Sequence, residues 1–354
     1  MDIDNLQPII SDKIQTIVNS NKISNAYLLC GSKGSGKEAL ALQFCSLLTG
    51  FDSDEFINNP NIFLVIPGSS DFYLNLFKSS KIDQKEYQEW SHYWREKLLF
   101  PLKKIKLSNS QNIPLIVLKN LKQNIFFKSD SKKVIIIFDA HYLSQGSAES
   151  ANALLKILEE PPQNTSFILV TDFIKNLPST IQSRCQFINV PKISNTNLKN
   201  YLKRTGDFEF EILSFLSDND LGLIDIFSNF SKKSVIDMIE KYIKCIEYDN
   251  SEAVVMFCEE MLLDFNTNRQ KLYFNFHLIK KWLEHTDQIK KSIEPKFEWN
   301  DFSNASKDFM TNHNNCDLIM LAKEIEYFLG NIASNTSPKL SLMNMVINSH
   351  NYLN

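Results

Sequence analysis

The stretch LLCGSKGSGKEALALQF, residues 28–44, decides the fold. An apolar run leads into Gly31, Gly34, Gly36 and Lys37, and a helical pattern follows. Glycines at this spacing let backbone N–H groups turn around phosphate oxygens, and the N-terminus of the following helix attracts anions. The stretch therefore predicts a phosphate loop between a strand and a helix, in which Lys37 neutralises the β- and γ-phosphates of a nucleotide.

Two positions depart from a hydrolytic site of this kind. Glu38 stands where a Ser or Thr normally holds magnesium. A second element, two adjacent acidic residues at the end of a strand, is expected in the stretch KKVIIIFDAHYLS, but its pair is Phe138 and Asp139. Because magnesium needs both elements to bridge the terminal phosphates, we predict ATP or ADP binding at most, without efficient hydrolysis, and no required cofactor.

The first half of the chain alternates short apolar runs with amphipathic stretches. A parallel sheet covered on both faces by helices is predicted from strands at 26–29, 61–66, 134–138, 167–170 and 186–190. Residues 71–112 interrupt this rhythm with a helical period, which predicts an inserted helix packed on the domain through Trp90, Tyr93, Trp94 and Leu98.

From about residue 192 the pattern is helical throughout. Two predicted helices have apolar stripes, formed by Ile236, Ile239, Ile243 and Ile246 and by Val254, Phe257, Met261 and Phe265. Asn- and Ser-rich stretches at 301–315 and 331–337 are interpreted as loops.

Composition narrows the function classes. The 354 residues are 43% hydrophobic and 22% charged, so a sizeable core is available, and the net charge of −3 argues against nucleic-acid binding by the whole chain. The six cysteines are scattered without a C-x-x-C pair, which argues against a disulfide framework or a zinc site. No apolar run approaches the roughly 20 residues of a membrane span, so we expect a soluble, cytoplasmic protein without membrane contact.

Four stretches carry a family resemblance. NALLKILEEPP (152–162), followed by LPSTIQSRC (177–185), resembles the clamp-loader branch of bacterial AAA+ proteins, as does the region of the phosphate loop. The incomplete acidic pair resembles that of the delta-prime branch of this family in DNA polymerase III. Members of this branch often lack ATPase function. NTSPKLSLMNMVI (335–347) resembles the closing helix of the clamp-loader collar.

The resemblance implies an α/β plus all-α protein in three parts. These are an AAA+ P-loop domain at 1–191 with an insertion at about 71–112, a helical lid at 192–233, and a helical collar at 234–354 that oligomerises. Many family members carry a four-cysteine zinc module after the phosphate loop, but residues 51–112 contain no cysteine, so no zinc is expected.

The resemblance also implies site residues. Ser183, Arg184 and Cys185 match a motif whose arginine reaches, in trans, the ATP of an adjacent subunit, where a guanidinium stabilises transition-state charge. Pairing of Arg184 with a surface carboxylate is the plainer alternative. Thr171 matches the position of a sensor of the γ-phosphate, although a Thr at a strand end is common in any sheet.

The function implied is that of a non-motor subunit of the DNA polymerase III holoenzyme. Its expected partners are gamma/tau and delta-type subunits in a hetero-oligomeric ring, and through them the sliding clamp and primed DNA. Two other hypotheses stay open. One is an active motor of the gamma/tau type, in which Glu38 and Asp139 together hold magnesium, and the other is an unrelated P-loop kinase or NTPase.

Overall fold

The computed structural model describes residues 3–20, 22–78, 85–103, 105, 112–126, 131–145, 148–202, 208–227, 230–247, 251–294, 297–333 and 336–353. The chain divides into two compact units. The first comprises residues 1–203 and 219–222, and the second comprises residues 204–218 and 223–354.

The first unit is built on a parallel sheet. Within the described residues the sheet has five strands in the order β2-β3-β4-β1-β5. The strands are β1 (Ala26–Gly31), β2 (Ile62–Val65), β3 (Lys133–Ile137), β4 (Thr165–Thr171) and β5 (Gln186–Val190). Every strand pair is parallel, with Leu28 opposite Leu169 and Phe187, and Ile135 opposite Phe63 and Phe167. The five predicted strands and the α/β class are thereby confirmed.

Helices cover the sheet. Those of the first unit are α1 (Ile3–Leu6), α2 (Pro8–Asn19), α3 (Lys37–Thr49), α4 (Ser70–Lys78), α5 (Lys85–Leu99), α6 (Leu115–Ile125), α7 (Glu149–Glu159), α8 (Ser179–Gln182) and α9 (Asn195–Tyr201). The central strands β3 and β4 are buried along their whole length and are mainly apolar, so both faces of the sheet need such cover. The carboxyl ends of the parallel strands meet at one edge, where the phosphate loop follows β1 and a ligand site is expected.

The second unit is helical. Its helices are α10 (Phe210–Ser217), most of α11 (Leu221–Phe227), α12 (Lys232–Glu247), α13 (Ser251–Thr267), α14 (Arg269–Lys290), α15 (Asn300–Asn312), α16 (Leu318–Ala333) and α17 (Pro338–Asn351). The helical class of this half is confirmed. The predicted division into an AAA+ domain, a lid and a collar stays a prediction.

One local prediction in this half is wrong. The stretch 301–315 was expected to be a loop, but most of it forms α15. The helix buries Phe302, Ser306 and Phe309, whose spacing of four and three residues places them on one face. The Asn and Ser residues that suggested a loop lie mainly on the other face of this amphipathic helix.

Candidate functional site

The phosphate loop joins β1 to α3 as the sequence predicts. Gly36 caps the helix at φ 83°, a left-handed conformation that favours glycine, and Lys37 is the first helical residue. Gly31 lies directly against β5, since a Cβ there would lie 2.0 Å from the carbonyl oxygen of Val190. These glycines thus fix both the turn and its close contact with the sheet.

Lys37 is turned onto its own loop. The side chain is buried, and its Nζ donates to the carbonyl oxygens of Gly31, at 3.1 Å, and of Ser32, and to Ser35 Oγ at 3.2 Å. Nζ also forms an ion pair of 2.7 Å with Oδ1 of Asp172, which directly follows β4. The charge that would neutralise phosphates is therefore balanced within the protein.

Residues from outside the loop lie against its glycines. A Cβ added at Gly34 would lie 2.0 Å from Oδ1 of Asp220, and one at Gly36 would lie 2.5 Å from Cδ1 of Ile3. Asp220 Oδ1 also accepts a hydrogen bond of 2.8 Å from the backbone N–H of Gly222. A carboxylate and an apolar side chain thus occupy space beside a loop that is built to receive anions.

Gln7 ties the N-terminal segment to the same loop. Its Nε2 donates to the carbonyl oxygen of Ser35 at 3.0 Å and to that of Pro191, which follows β5, at 2.8 Å. Gln7 is buried, so both bonds are shielded from water and hold the loop against the sheet edge.

Glu38 has a lysine as its partner. Its Oε2 lies 2.5 Å from Nζ of Lys97, whose side chain is only 1% exposed. Lys97 comes from α5, in the inserted segment, and it also donates to the carbonyl oxygens of Pro101 at 2.9 Å and Lys103 at 2.6 Å. The position that holds magnesium through a hydroxyl in a hydrolytic site thus carries a buried ion pair.

Phe138 is part of the same cluster. It is buried, its ring centroid lies 5.5 Å from that of Trp94 on α5, and the Nζ of Lys97 lies 5.9 Å from its centroid. Asp139 follows in a left-handed conformation with φ 49°, half-buried, and its carbonyl oxygen accepts from the N–H of Tyr142 at 2.9 Å. The Phe138 ring thus packs against the inserted helix, and the loss of an acid from this pair stays a prediction.

Thr171 lies at the end of β4, next to Asp172. Its buried Oγ1 is 3.1 Å from Nδ1 of His141 and accepts a hydrogen bond of 3.1 Å from the N–H of Phe173. The hydroxyl is thus engaged within the protein, and its role as a sensor stays a prediction.

Arg184 lies apart from these contacts, between α8 and β5. Its Nη2 is 2.7 Å from Oε1 of Glu159, the last residue of α7, and its Nη1 donates to the carbonyl oxygen of Thr180 at 2.9 Å. The side chain is 36% exposed, so another molecule can reach it. Ser183 bonds back to the same Thr180 carbonyl at 3.1 Å, and burial raises the pKa of the Cys185 thiol to about 12, which keeps it a neutral packing residue.

A magnesium–nucleotide complex does not fit these residues as they are arranged. The lysine for the phosphates is paired with Asp172, and the residue at the metal position of the phosphate loop is paired with Lys97. Among the described residues, no group of His, Cys, Asp and Glu is placed to hold a metal ion.

Several residues of this site were missed from the sequence, above all Lys97, Asp172, Asp220 and Gln7. Of these, only Lys97 had a signal, since it lies three residues after Trp94 in a helix whose apolar side was already evident. A lysine on the buried side of a helix needs a buried partner.

Comparison with known proteins shows which protein family the chain resembles. Residues 78–194 match the family model described as DNA polymerase III, delta subunit. A DNA polymerase III subunit gamma of Buchnera aphidicola is 32% identical over 130 residues, which are 35% of this chain and 33% of that protein. A gamma/tau subunit of Mycoplasma genitalium is 27% identical over 243 residues, 63% of this chain and 34% of that protein. Over these ranges the chain is similar to clamp-loader subunits of DNA polymerase III.

The chain spans about a third of the length of those two relatives. A solved structure of a protein related to the gamma subunit of DNA polymerase III, from Thermotoga maritima, aligns with a TM-score of 0.43 and 15% identity, over 97% of this chain and 99% of that one. No helix in the described ranges is both long and apolar enough to cross a bilayer.

Proposed function

We propose that the chain is a non-motor subunit of a replicative clamp loader, of the delta-prime type, which helps to load the sliding clamp onto primed DNA. The observation that carries the proposal is the pairing of Glu38 with Lys97 beside the ring of Phe138. The position that would hold magnesium in the phosphate loop is committed to an ion pair within the protein, so this subunit requires no nucleotide. ATP or ADP, where it binds, is not hydrolysed efficiently.

Arg184 is the residue that acts on a neighbour in this proposal. A guanidinium on the γ-phosphate of the adjacent subunit's ATP stabilises transition-state charge and contributes roughly 10³–10⁵ in rate in other phosphoryl-transfer systems. Exposure of the side chain supports this role, because a neighbouring subunit can reach the guanidinium. The ion pair with Glu159 is the contact expected from the plainer alternative, so Arg184 has to leave this carboxylate to act on a neighbour's ATP.

The partners in this proposal are gamma/tau and delta-type subunits in a hetero-oligomeric ring, acting in the cytoplasm. The last helix, α17, supports such contacts. It exposes Leu340, Met343 and Ile347, which are three and four residues apart and therefore share a face. A row of exposed apolar side chains on a helix is typical of a protein–protein contact.

ATP hydrolysis by the purified chain tests the proposal, first alone and then mixed with the gamma/tau subunit of the same organism. We expect no magnesium-dependent turnover by the chain alone, and stimulation of the motor subunit that Arg184→Ala abolishes. Lys37→Met retains the stimulation, since Lys37 serves its own loop. Arg95→Ala, which removes an exposed arginine of the same unit, is the matched control.

An active motor of the gamma/tau type is the second candidate, and the similarity to gamma and gamma/tau subunits favours it. Turnover by the isolated chain that Lys37→Met eliminates would make this the correct assignment. Glu38 would then have to leave Lys97 and hold magnesium together with Asp139.

A further inference from the structure

The inserted segment ends in a cage of oxygen atoms around one ammonium group. Nζ of Lys97 lies 2.5 Å from Oε2 of Glu38, 2.6 Å from the carbonyl oxygen of Lys103 and 2.9 Å from that of Pro101. One carboxylate and two carbonyls are the ligand types that bind hard cations in proteins. The cage is shielded from water, since the Lys97 side chain is only 1% exposed.

The cage includes the residue at the metal-binding position of the phosphate-loop motif. Glu38 occupies the sequence position of the magnesium-binding hydroxyl, and the ring of Phe138 lies 5.9 Å from the same ammonium. A carboxylate that is only 12% exposed needs a nearby positive charge, because burying it alone is unfavourable by several kcal/mol.

We propose that Lys97 is the resident cation of this site and permanently takes the place of the divalent metal. The inserted helix α5 thereby balances the charge of Glu38 without metal or nucleotide, and it links residues 85–103 to the start of α3. This inference rests on the proposed non-motor role and extends it. Its own claim is about how charges are balanced inside the folded chain.

Removing the ammonium tests the proposal. For Lys97→Met in the full chain, we expect the thermal midpoint to fall by roughly 10 °C, because Glu38 is left buried and unpaired. Hydrogen exchange of peptides from residues 31–44 should become faster at the same time. The double variant Lys97→Met/Glu38→Gln removes both charges and should recover most of the loss. If the single variant fails to fold, the double variant still tests the proposal, because it should fold.

Lys103→Met is the matched control. Lys103 forms an exposed ion pair of 2.9 Å with Glu96, so its loss should change the midpoint by about 2 °C or less. A loss for Lys97→Met no larger than that of this control, or a double variant no more stable than the single one, would overturn the proposal.

Metal rescue tests the cation site itself. Lys97→Ala empties the cage while keeping its three oxygens, so MgCl2 should raise its thermal midpoint by several degrees relative to NaCl of equal ionic strength. The unchanged chain should respond equally to the two salts. Equal response of both proteins would show that the cage is no metal position. Nucleotide turnover plays no part in these measurements, so their failure and that of the proposed function are separate results.

Discussion

Buried ionisable residues are treated in two ways in this molecule. Lys37 and Lys97 each contact a carboxylate and several other oxygens. His285 of α14 is instead kept neutral. It is fully buried, lies between the rings of Phe297, at 5.4 Å, and Phe302, at 5.0 Å, and contacts Ser306 Oγ at 3.2 Å. Desolvation lowers its pKa from 6.5 to about 4.

This shift predicts acid sensitivity of the helical unit. Between pH 6.5 and 4 the unfolded chain binds a proton on His285 that the folded chain does not, so the free energy of unfolding falls as pH falls. The contribution of neutral His285 to the free energy of unfolding is fully present above pH 6.5. Its complete loss at low pH lowers that free energy by about 3 kcal/mol. Urea unfolding at pH 7 and pH 4.5 measures it, and His285→Phe should reduce the pH dependence. The exposed His92 provides the control His92→Gln, which should leave that dependence unchanged.

For single residues, the sequence shows which ones are unusual in the site but not what they contact. Glu38 and Phe138 stand out because a metal site has fixed residue types at those positions. Their partner Lys97 lies 59 and 41 positions away along the chain, and pairing over such separations is set by the packing of α5. Spacing within a motif carries no information about such long-range contacts.

Among the elements, α5 has the largest effect on the site. Trp94 is fully buried against Phe138, whereas Trp90, one turn earlier, is only half-buried. Trp94→Ala should therefore destabilise the α/β unit by about 3–5 kcal/mol, because it leaves a large cavity between α5 and the end of β3. Trp90→Ala on the same helix should cost about 1 kcal/mol. Urea unfolding followed by circular dichroism measures both, and equal losses would contradict the packing described.

The elements also show where sequence patterns are reliable. The central strands β1, β3 and β4 were predictable because they are mainly apolar on both faces, whereas the edge strand β5 buries only Ile188 and Val190. In α12 the buried face is centred on Val235, Ile239 and Tyr242, while the predicted Ile236 and Ile243 lie only partly buried at its edge. Where several apolar residues follow one another, the sequence does not determine which face of the helix is buried. The packing of neighbouring elements decides it.

At the scale of the whole molecule, the two units have different tasks in the proposed function. The α/β unit carries the phosphate loop and Arg184, and the helical unit carries the exposed face of α17. That face is formed by side chains that do not stabilise the unit itself, since Leu340, Met343 and Ile347 are each more than 40% exposed. Changes there should therefore affect assembly without affecting folding.

The variant Met343→Asp/Ile347→Asp tests this separation. Two carboxylates on an apolar contact lose their hydration when a partner binds, so we expect the affinity for the gamma/tau subunit of the same organism to fall at least about tenfold. Circular dichroism and thermal unfolding of the isolated variant should match those of the unchanged chain. Asn344→Asp, which adds a charge at an exposed position of the same helix, is the control and should retain most of the affinity. Undiminished binding by the double variant would mean that the ring contact lies on another face of the helical unit.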